Sequence, residues 1–349
     1  MPPRPKQHHY VTRAYLEGFL EPNQELLFCY GRHRSPFQKR PADLASVRSY
    51  YSFRQPDGTW DDSLEHDIER LVETPGLAVT RKLASGDMRL NWAERDALSM
   101  LMAVQRLRVP HLRQMIDAVH ADLIKRLLLE YDQRQQEQGL GRMWIRSISP
   151  LARPGDPERP RAYVTKEELE ETQRTLEQDP GQLSRETLFS LAASFAKVLC
   201  RMKWTICYSN DGESFITSDC PVLLRHERRD VTHAGIIRPD TTVEFPLSRT
   251  ALLSMTHDFA LINRVNRLGP NREARRILNQ VPEIRTTQTN GGQVRDFNLR
   301  QVAYCSHWIF CGRQNGEFID VLRKRSKNVR HRFVRDGNLF KVETLTGES

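Results

Sequence analysis

The chain has 349 residues, of which 38% are hydrophobic, so it can bury a core in one large domain or two and is not disordered throughout. A net charge of +9 favours an anionic partner, either nucleic acid or another anionic ligand, although scattered charge that only confers solubility is the simpler explanation. No apolar run approaches the roughly 20 residues that a membrane span needs, and the polar, Pro-rich start predicts no signal peptide.

Six cysteines are scattered along the chain without a CxxC pair. This usage is typical of reduced thiols, so we expect a cytoplasmic protein. A zinc site that combines some of these cysteines with His8 or His9 is a lesser alternative.

A polar cluster precedes the first apolar helical repeat, and its members are Gln7, His8, His9 and Tyr10. Tyr15, Leu16 and Phe19 follow at helical spacing, which predicts a short helix docked on the body of the fold. Adjacent side chains of an extended segment point to opposite faces, so we expect only one of the two histidines to face a site. An imidazole there is suited to general acid–base catalysis.

Strands are predicted at 25–30 and 47–53, with a basic surface loop at 31–45 between them. Asp62 or Ser63 then caps a helix that carries Glu65 and Glu69 four residues apart, and Pro75-Gly76 interrupts it. Paired acids at this spacing can hold a divalent metal or act as acid and base. A solvated helix face is the simpler interpretation.

The strongest helical pattern begins at Asn91, and Pro110 is expected to end or kink it. Polar side chains surround that point: Gln105, Arg106, Arg108 and Arg113. Arginines beside a kink can grip phosphate or a small anionic metabolite, whereas a solvated rim is the alternative.

A stretch dense in Pro and Arg at 147–161 is the best linker candidate. It divides the chain into an N-terminal segment at 1–145, a linker or loop at 146–162 and a C-terminal part at 163–349. Because the N-terminal segment can cross between the two parts, one integrated domain is favoured over two free domains. Helices are predicted at 165–177, with a capping box from Thr165, and at 184–202.

Two strands are then predicted at 204–208 and 215–217, and we expect them to form a hairpin. Further strands are predicted at 243–247, 251–255 and 306–311. Pro246 indicates an edge strand or a bulge. A helix at 294–304 carries Asn298. The predicted fold is therefore α+β, with a helical first half packed on a β-rich second half whose sheet is mixed or antiparallel.

Asp219 follows the predicted hairpin, where a carboxylate commonly serves catalysis, binds a metal or simply caps the turn. The densest positive cluster lies near the C-terminus and comprises Arg323, Lys324, Arg325, Lys327, Arg330, Arg332 and Arg335. It is suited to contact a phosphate backbone, or it forms a solvated, poorly ordered terminus.

Several separated stretches resemble the bacterial family called domain of unknown function 4238 (DUF4238). They are residues 7–16 with Phe19, residues 65–69 leading to 105–108, Trp204, residues 215–222, residues 245–248 and the helix with Asn298. The chain departs from the family at Thr12, where Pro is usual, and at Cys220, where Asn is common, which weakens any role assigned to these two positions. The resemblance supports this segmentation and implies no particular reaction.

Two functions follow as hypotheses. The first is a nucleic-acid-processing hydrolase, nuclease-like, that acts as a toxin or defence effector. Its site would be formed where His8 or His9, Asp219, Glu65 and an arginine such as Arg106 converge, and a divalent metal is a candidate cofactor. Gln7, Tyr10, Tyr15, Gln105 and Asn298 would bind substrate. The second is a non-catalytic nucleic-acid-binding or regulatory protein that uses the basic C-terminal cluster.

Overall fold

The computed structural model describes the chain except for residues 1–6, 32–33, 55–58, 139–142, 147–160, 180, 211, 227–234, 239, 270, 325–328, 337–338 and 347–349. The chain forms two compact units. One comprises residues 1–109 and 195–349, and the other comprises residues 110–194. The predicted linker at 147–161 lies almost wholly outside the described residues, and the predicted division at 145 and 163 stays a prediction.

The strands of the described residues are β1 (Gln7–His9), β2 (Leu27–Gly31), β3 (Arg34–Lys39), β4 (Ser46–Arg48), β5 (Phe53–Arg54), β6 (Trp60–Asp61), β7 (Met143–Arg146), β8 (Arg161–Val164), β9 (Lys203–Ser209), β10 (Thr217–Ser218), β11 (Leu223–His226), β12 (Thr241–Ser248), β13 (Ala251–Thr256), β14 (Arg285–Thr289), β15 (Trp308–Cys311), β16 (Val329–Asp336) and β17 (Leu339–Thr346).

The α-helices are α1 (Arg13–Leu16), α2 (Ser63–Asp67), α3 (Thr74–Ala84), α4 (Trp92–Leu107), α5 (Pro110–Gln138), α6 (Lys166–Gln178), α7 (Gln182–Arg201), α8 (Phe259–Leu268), α9 (Arg272–Leu278), α10 (Gly291–Tyr304) and α11 (Glu317–Lys324). A π-helical segment, Ile68–Glu73, joins α2 to α3. Within this described part of the chain, no helix combines the length and apolar character needed to cross a bilayer.

Two sheets form the centre of the larger unit. The five-stranded sheet has the order β11-β12-β13-β9-β14 and is antiparallel except where β14 runs parallel to β9. The four-stranded sheet has the order β10-β15-β2-β3 and is antiparallel throughout. Because β15 pairs with β2, an early and a late part of the chain share one sheet. The mixed α+β class is confirmed, but strands are spread along the chain and not confined to its second half.

The predicted loop at 31–45 instead contains β3, which carries Pro36. β3 lies at the edge of its sheet, where a residue without an N–H is tolerated. The predicted strand at 47–53 is divided between β4 and β5 by a turn at Ser49, whose φ is 51°. A single continuous strand is excluded because this left-handed conformation breaks the extended backbone.

The predicted hairpin of 204–208 with 215–217 is also wrong. β9 lies between β13 and β14, and β10 pairs with β15. Phe215 packs edge-to-face on Phe297, and the backbone N–H of Ile216 donates to Asn298 Oδ1 at 3.0 Å. These contacts draw the chain away from β9. Pro246 lies in a central strand beside a register shift, so it marks a bulge and not an edge.

Pro75-Gly76 does not interrupt the helix that follows β6. Pro75 occupies the first turn of α3, where the missing N–H costs little. A Cβ at Gly76 would lie 2.5 Å from the Cβ of Leu101, so glycine permits α3 to pack directly on α4. The strong helix predicted from Asn91 is confirmed with its capping box to Glu94, and it ends before Pro110, which begins α5.

In the smaller unit, α6 begins with the capping box predicted at Thr165. Thr165 Oγ1 accepts from the Glu168 N–H at 3.2 Å, and Glu168 Oε2 accepts from the Thr165 N–H at 2.8 Å. Tyr131 of α5 and Leu169 of α6 form the buried contact between these helices. Arg113, predicted to act beside the kink, donates to Ser184 Oγ at 3.0 Å within this unit.

Candidate functional site

A cavity of about 490 Å³ lies between the N-terminal segment and the helix that runs from α2 to α3, and we call it the His9 cavity. One wall is formed by residues 9–17 and the other by residues 65–81. Its lining residues are His9, Thr12, Arg13, Ala14, Glu17, Glu65, Glu69, Glu73, Thr74, Leu77 and Arg81. It therefore brings together one of the predicted histidines and the predicted acidic helix.

The side chains of the two histidines of β1 have different surroundings, as the alternation of an extended segment predicts. His8 is buried and stacks on Tyr51, and its Nδ1 accepts the Tyr51 N–H at 3.0 Å. His9 lies at the cavity, where its Nε2 is 3.0 Å from the carbonyl oxygen of Ala42. A hydrogen bond to a carbonyl requires the Nε2–H donor, so in neutral His9 the other nitrogen, Nδ1, is the proton acceptor.

The helical wall presents Glu65, Glu69 and Glu73 at intervals of four residues. Burial raises the pKa of Glu65 from 4.5 to about 7. The nearby Arg108 opposes this shift, and the negative charges of Glu73, Glu69 and Asp62 add to it. A carboxyl that titrates near neutrality can both accept and donate a proton at physiological pH. Glu65 is therefore the lining residue best suited to proton transfer.

Beneath the cavity, a buried network connects three parts of the chain. Arg108 donates from Nη1 to Glu73 Oε1 at 2.5 Å and from Nη2 to Thr12 Oγ1 at 2.7 Å. Thr12 in turn donates to Glu73 Oε1 at 2.7 Å. Burial lowers the pKa of Arg108, but Glu73, Tyr51 and Glu65 together more than offset this effect and the pKa is raised. Arg108 is therefore a fixed positive charge that ties the N-terminal segment to the π-helical segment and to the C-terminal end of α4.

Several buried polar atoms around this network have no hydrogen-bond partner within the described residues. They are the Tyr51 hydroxyl, Arg108 Nε and Glu65 Oε2. Burial raises the pKa of Tyr51 well above its ordinary value. Arg108 opposes this rise, whereas Glu65 and Glu73 add to it, so the Tyr51 hydroxyl belongs to the same cluster. Buried polar groups are nearly always hydrogen-bonded. These atoms are therefore candidates to contact a polar ligand or water.

The cavity lining carries four glutamates and two arginines, and part of this charge is paired. Arg13 pairs with Glu17 at 2.8 Å, and Glu73 pairs with the buried Arg108. Glu65, Glu69 and Arg81 complete the ionic lining. The described residues include no group of three or more His, Cys, Asp or Glu side chains arranged to hold a metal ion.

Asp219 is not among the residues that line the cavity. It is 1% exposed, and its carboxylate accepts the backbone N–H groups of residues 306, 307 and 308 at 2.8, 2.6 and 3.2 Å. Burial raises its pKa, and these three hydrogen bonds act in the opposite direction. The carboxylate thus holds the backbone before β15. Tyr10 of the N-terminal segment lies near Asp219. Burial raises the pKa of Tyr10 most, and the charge of Asp219 raises it further.

Two predicted substrate-binding residues hold the fold together. The Tyr15 hydroxyl donates to the Pro246 carbonyl at 2.8 Å and lies 3.0 Å from Thr217 Oγ1, while its ring stacks on Phe245. Asn298 accepts from the Ile216 N–H and donates to the Ser214 carbonyl at 2.9 Å. Both side chains are buried and joined to neighbouring strands or turns.

The remaining predicted positions are dispersed. Gln7 is exposed on β1. Arg106 donates to the Val222 carbonyl at 3.2 Å, and burial lowers its pKa. Gln105 is fully buried, and neither amide atom has a hydrogen-bond partner in the described part of the chain. Because Gln105 precedes Arg108 by three residues on the same helix, it lies on the side of α4 that carries Arg108.

The structure describes none of the side chains of the basic cluster near the C-terminus. Arg325 and Lys327 fall in an undescribed range, and only the backbone is described for Arg323 and Lys324 at the end of α11. The same holds for the three arginines of β16, which are Arg330, Arg332 and Arg335. The proposed role of this cluster stays a prediction.

Sequence reasoning missed Thr12, Tyr51 and Glu73 as parts of the site. A signal for Glu73 was present, because it continues the interval of four from Glu65 and Glu69. Thr12 and Tyr51 carry no local signal. Their roles depend on contacts with Arg108 and with residues 65–73, which lie far away in the sequence.

Neither the curated proteins nor the solved structures include a match to this chain. The model of a family described as protein of unknown function (DUF4238) matches residues 7–315. This range includes both walls of the His9 cavity and the two central sheets. The chain therefore belongs to the DUF4238 family.

Proposed function

We propose that this protein is a hydrolase that cleaves nucleic acid, with Glu65 and His9 as its proton-transferring groups. The observation that carries the proposal is the position of both side chains on one cavity, together with the pKa of about 7 for Glu65. Cleavage of a phosphodiester requires a base to take a proton from the attacking oxygen and an acid to protonate the leaving oxygen.

The two groups have complementary roles in this proposal. Ionised Glu65 takes the proton of the attacking hydroxyl, which in RNA is the 2′-hydroxyl beside the phosphate. That oxygen then forms a bond to phosphorus as the bond to the 5′-oxygen breaks. Protonated His9 gives its proton to the departing 5′-oxygen, and a 2′,3′-cyclic phosphate remains. Water hydrolyses this ring in a second step, in which neutral His9 takes a proton from the attacking water and protonated Glu65 gives its proton to the 2′-oxygen as the bond from that oxygen to phosphorus breaks. Arg13 and Arg81, which line the same cavity, would stabilise the charge that develops on the phosphoryl oxygens.

The substrate class rests on charge. The chain has a net charge of +9, which favours association with a polyanion. Four glutamates and two arginines line the cavity, but Glu17 pairs with Arg13 and Glu73 pairs with the buried Arg108, which reduces the negative charge that a phosphodiester meets. Asp219, which the sequence had suggested as a catalytic acid, has no role in this mechanism because its carboxylate is bound to three backbone N–H groups.

The test is incubation of purified protein with end-labelled single-stranded RNA and DNA of the same sequence, with Mg²⁺ or with EDTA. We expect cleavage of RNA, and loss of a proton-transferring group should slow it by about 10²-fold to 10⁴-fold. Glu65→Gln and His9→Ala are the test variants. His66→Ala, on the same helical segment, and Glu283→Gln, which removes an exposed carboxylate, are the controls, because neither residue lines the His9 cavity. Full activity in Glu65→Gln, or no cleavage by the wild type, would refute the proposal.

A second candidate is non-catalytic binding of nucleic acid through the basic cluster at 323–335, which has seven Lys and Arg residues in 13 positions. The same assay separates the two. Intact RNA that is retained by the wild-type protein, with retention lost when residues 323–335 are neutralised, supports binding without catalysis.

A further inference from the structure

A second arginine-rich surface lies on α8 and α9, far in the sequence from the C-terminal cluster. Residues 259–280 contain five arginines and one acid, Glu273, which gives this short segment a net charge of +4 out of the +9 of the whole chain. The arginines are Arg264, Arg267, Arg272, Arg275 and Arg276, and all five are exposed. We call this surface the α8–α9 arginine face.

Helical spacing aligns these charges. Arg272, Arg275 and Arg276 are separated by three and four residues, which places them on one side of α9. They line an open groove with Glu273, Asn279 and Gln280. In the described part of the chain none of these three arginines forms an ion pair, whereas Arg264 lies 3.5 Å from Glu273. The groove is therefore a concentration of positive charge with amide groups beside it.

The two helices are held in place without the three groove arginines, whereas Arg264 of α8 contacts Glu273 of α9. Asp258 Oδ1 accepts the Leu261 N–H at the start of α8, and Asn271 Oδ1 accepts the Ala274 N–H at the start of α9. Ala274 is buried, and the Trp92 Nε1–H of α4 donates to the Asn279 carbonyl at 2.8 Å. Arg272, Arg275 and Arg276 are exposed and form no ion pair within the described residues, which indicates a surface used for contact with another molecule.

The apolar part of α8 is small. Phe259 and Ile262 are 47% and 42% exposed, whereas Leu261, Val265 and Leu268 are partly covered by the protein. A helix that binds to a membrane surface buries a broad apolar face, and two exposed side chains provide little of one. Phe259 is an exposed aromatic ring on the same pair of helices as the five arginines, and surfaces that bind single-stranded nucleic acid combine such rings, on which bases stack, with cations that pair with phosphates.

We propose that the α8–α9 arginine face binds the phosphate backbone of single-stranded RNA. The choice of partner rests on the proposed function, and the face adds a docking surface outside the His9 cavity. Arg272, Arg275 and Arg276 contact successive phosphates, and Phe259 stacks on a base.

The experiment measures binding of a fluorescein-labelled single-stranded RNA of 20 nucleotides by fluorescence anisotropy over a range of salt concentrations. All proteins carry Glu65→Gln so that the RNA stays intact. The test variant adds Arg272→Gln, Arg275→Gln and Arg276→Gln. The control adds Arg70→Gln, Arg89→Gln and Arg174→Gln, three exposed arginines elsewhere whose loss changes the net charge equally.

Each phosphate contact contributes about 0.7 to the slope of log K against log salt for a single strand. The test variant should therefore lose about 2 from the slope and bind at least about 10-fold more weakly near 0.1 M salt. The control should keep the slope of the parent protein. Phe259→Ala should weaken binding without changing the slope, because stacking does not depend on released counterions.

Three results would overturn the inference: no binding of RNA by the parent protein, the same slope in test variant and parent, or an equal loss in the control. A parallel measurement with vesicles containing phosphatidylserine tests the other class of polyanion. Loss of vesicle binding in the test variant with unchanged RNA binding would assign the face to a membrane. Absence of RNA cleavage by the wild type refutes the hydrolase and leaves this binding result to stand by itself.

Discussion

Replacement of Glu65 by Gln should stabilise the protein at alkaline pH and leave its stability unchanged at acid pH. Burial raises the pKa of this carboxyl from 4.5 to about 7, so the folded protein holds the proton more tightly than the unfolded chain does. The favourable contribution of the protonated group is complete below about pH 4.5 and is lost as the pH rises through about 7.

The size of the effect follows from the same two values. A difference between 4.5 and about 7 corresponds to about 3 kcal/mol of unfolding free energy, which is an upper limit because the side chain is partly exposed. Glutamine has the shape of the protonated acid and carries no charge at any pH. Glu65→Gln should therefore unfold at a higher temperature than the wild type at pH 8.5 and at the same temperature at pH 4.5.

The assay is thermal unfolding followed by circular dichroism, with wild type and variant measured side by side across that pH range. Glu283→Gln is the control, because it removes an exposed carboxylate that does not line the His9 cavity. The control should change the unfolding temperature by the same small amount at every pH. If the difference between Glu65→Gln and wild type does not grow with pH, Glu65 is not the buried, neutral-range acid on which the proposed mechanism depends.

Three further changes test the surrounding structure. Arg108→Met leaves Glu73 buried without its partner and should cost about 3–5 kcal/mol in urea unfolding, whereas Arg13→Ala, which breaks the exposed pair with Glu17, should cost less than about 1 kcal/mol. Equal costs would contradict the buried network. Asp219→Asn removes the charge that accepts three backbone N–H groups and should lower the free energy of unfolding by about 2–3 kcal/mol. The cleavage rate of the folded variant should equal that of the wild type. A large loss of rate with unchanged stability would restore Asp219 as a catalytic candidate. Arg95 is fully buried, donates to the carbonyls of Cys200 and Met202 at 2.6 Å and lies 4.0 Å over the ring of Trp204. Lysine cannot make this set of contacts, so Arg95→Lys should destabilise by about 2–4 kcal/mol, and a neutral result in thermal unfolding would show that the stacked geometry is dispensable.

Local patterns predicted local structure well. The capping residues Asn91 and Thr165 marked the starts of α4 and α6, and apolar alternation located β9, β12 and β13. The pairing of β15 with β2 was not predictable in this way, since it joins segments almost 280 residues apart and no local feature specifies the partner. The hairpin prediction failed for the same reason, because contacts of Phe215 and Ile216 with α10 outweigh the turn signal at 210–212.

The candidate site shows the same limit. The expectation that one histidine faces a site and the other packs follows from strand geometry alone, and β1 places His9 and His8 in this way. A sequence also shows that Glu65 and Glu69 share a helix face. It does not show how deeply Glu65 is buried or that Arg108 lies beside it, and these two facts determine the pKa of the carboxyl.

The π-helical segment between α2 and α3 has a consequence for how this site could have arisen. A π turn contains one residue more than an α turn. It therefore rotates the side chains that precede it around the helix axis relative to the side chains that follow it. Removal of a single residue from 68–73 would leave both flanking helices long enough to form, yet it would turn Glu65 by about 100° around the axis relative to Arg81. The assembly of an acid beside the N-terminal segment thus depends on chain length at one turn as much as on the identity of any side chain.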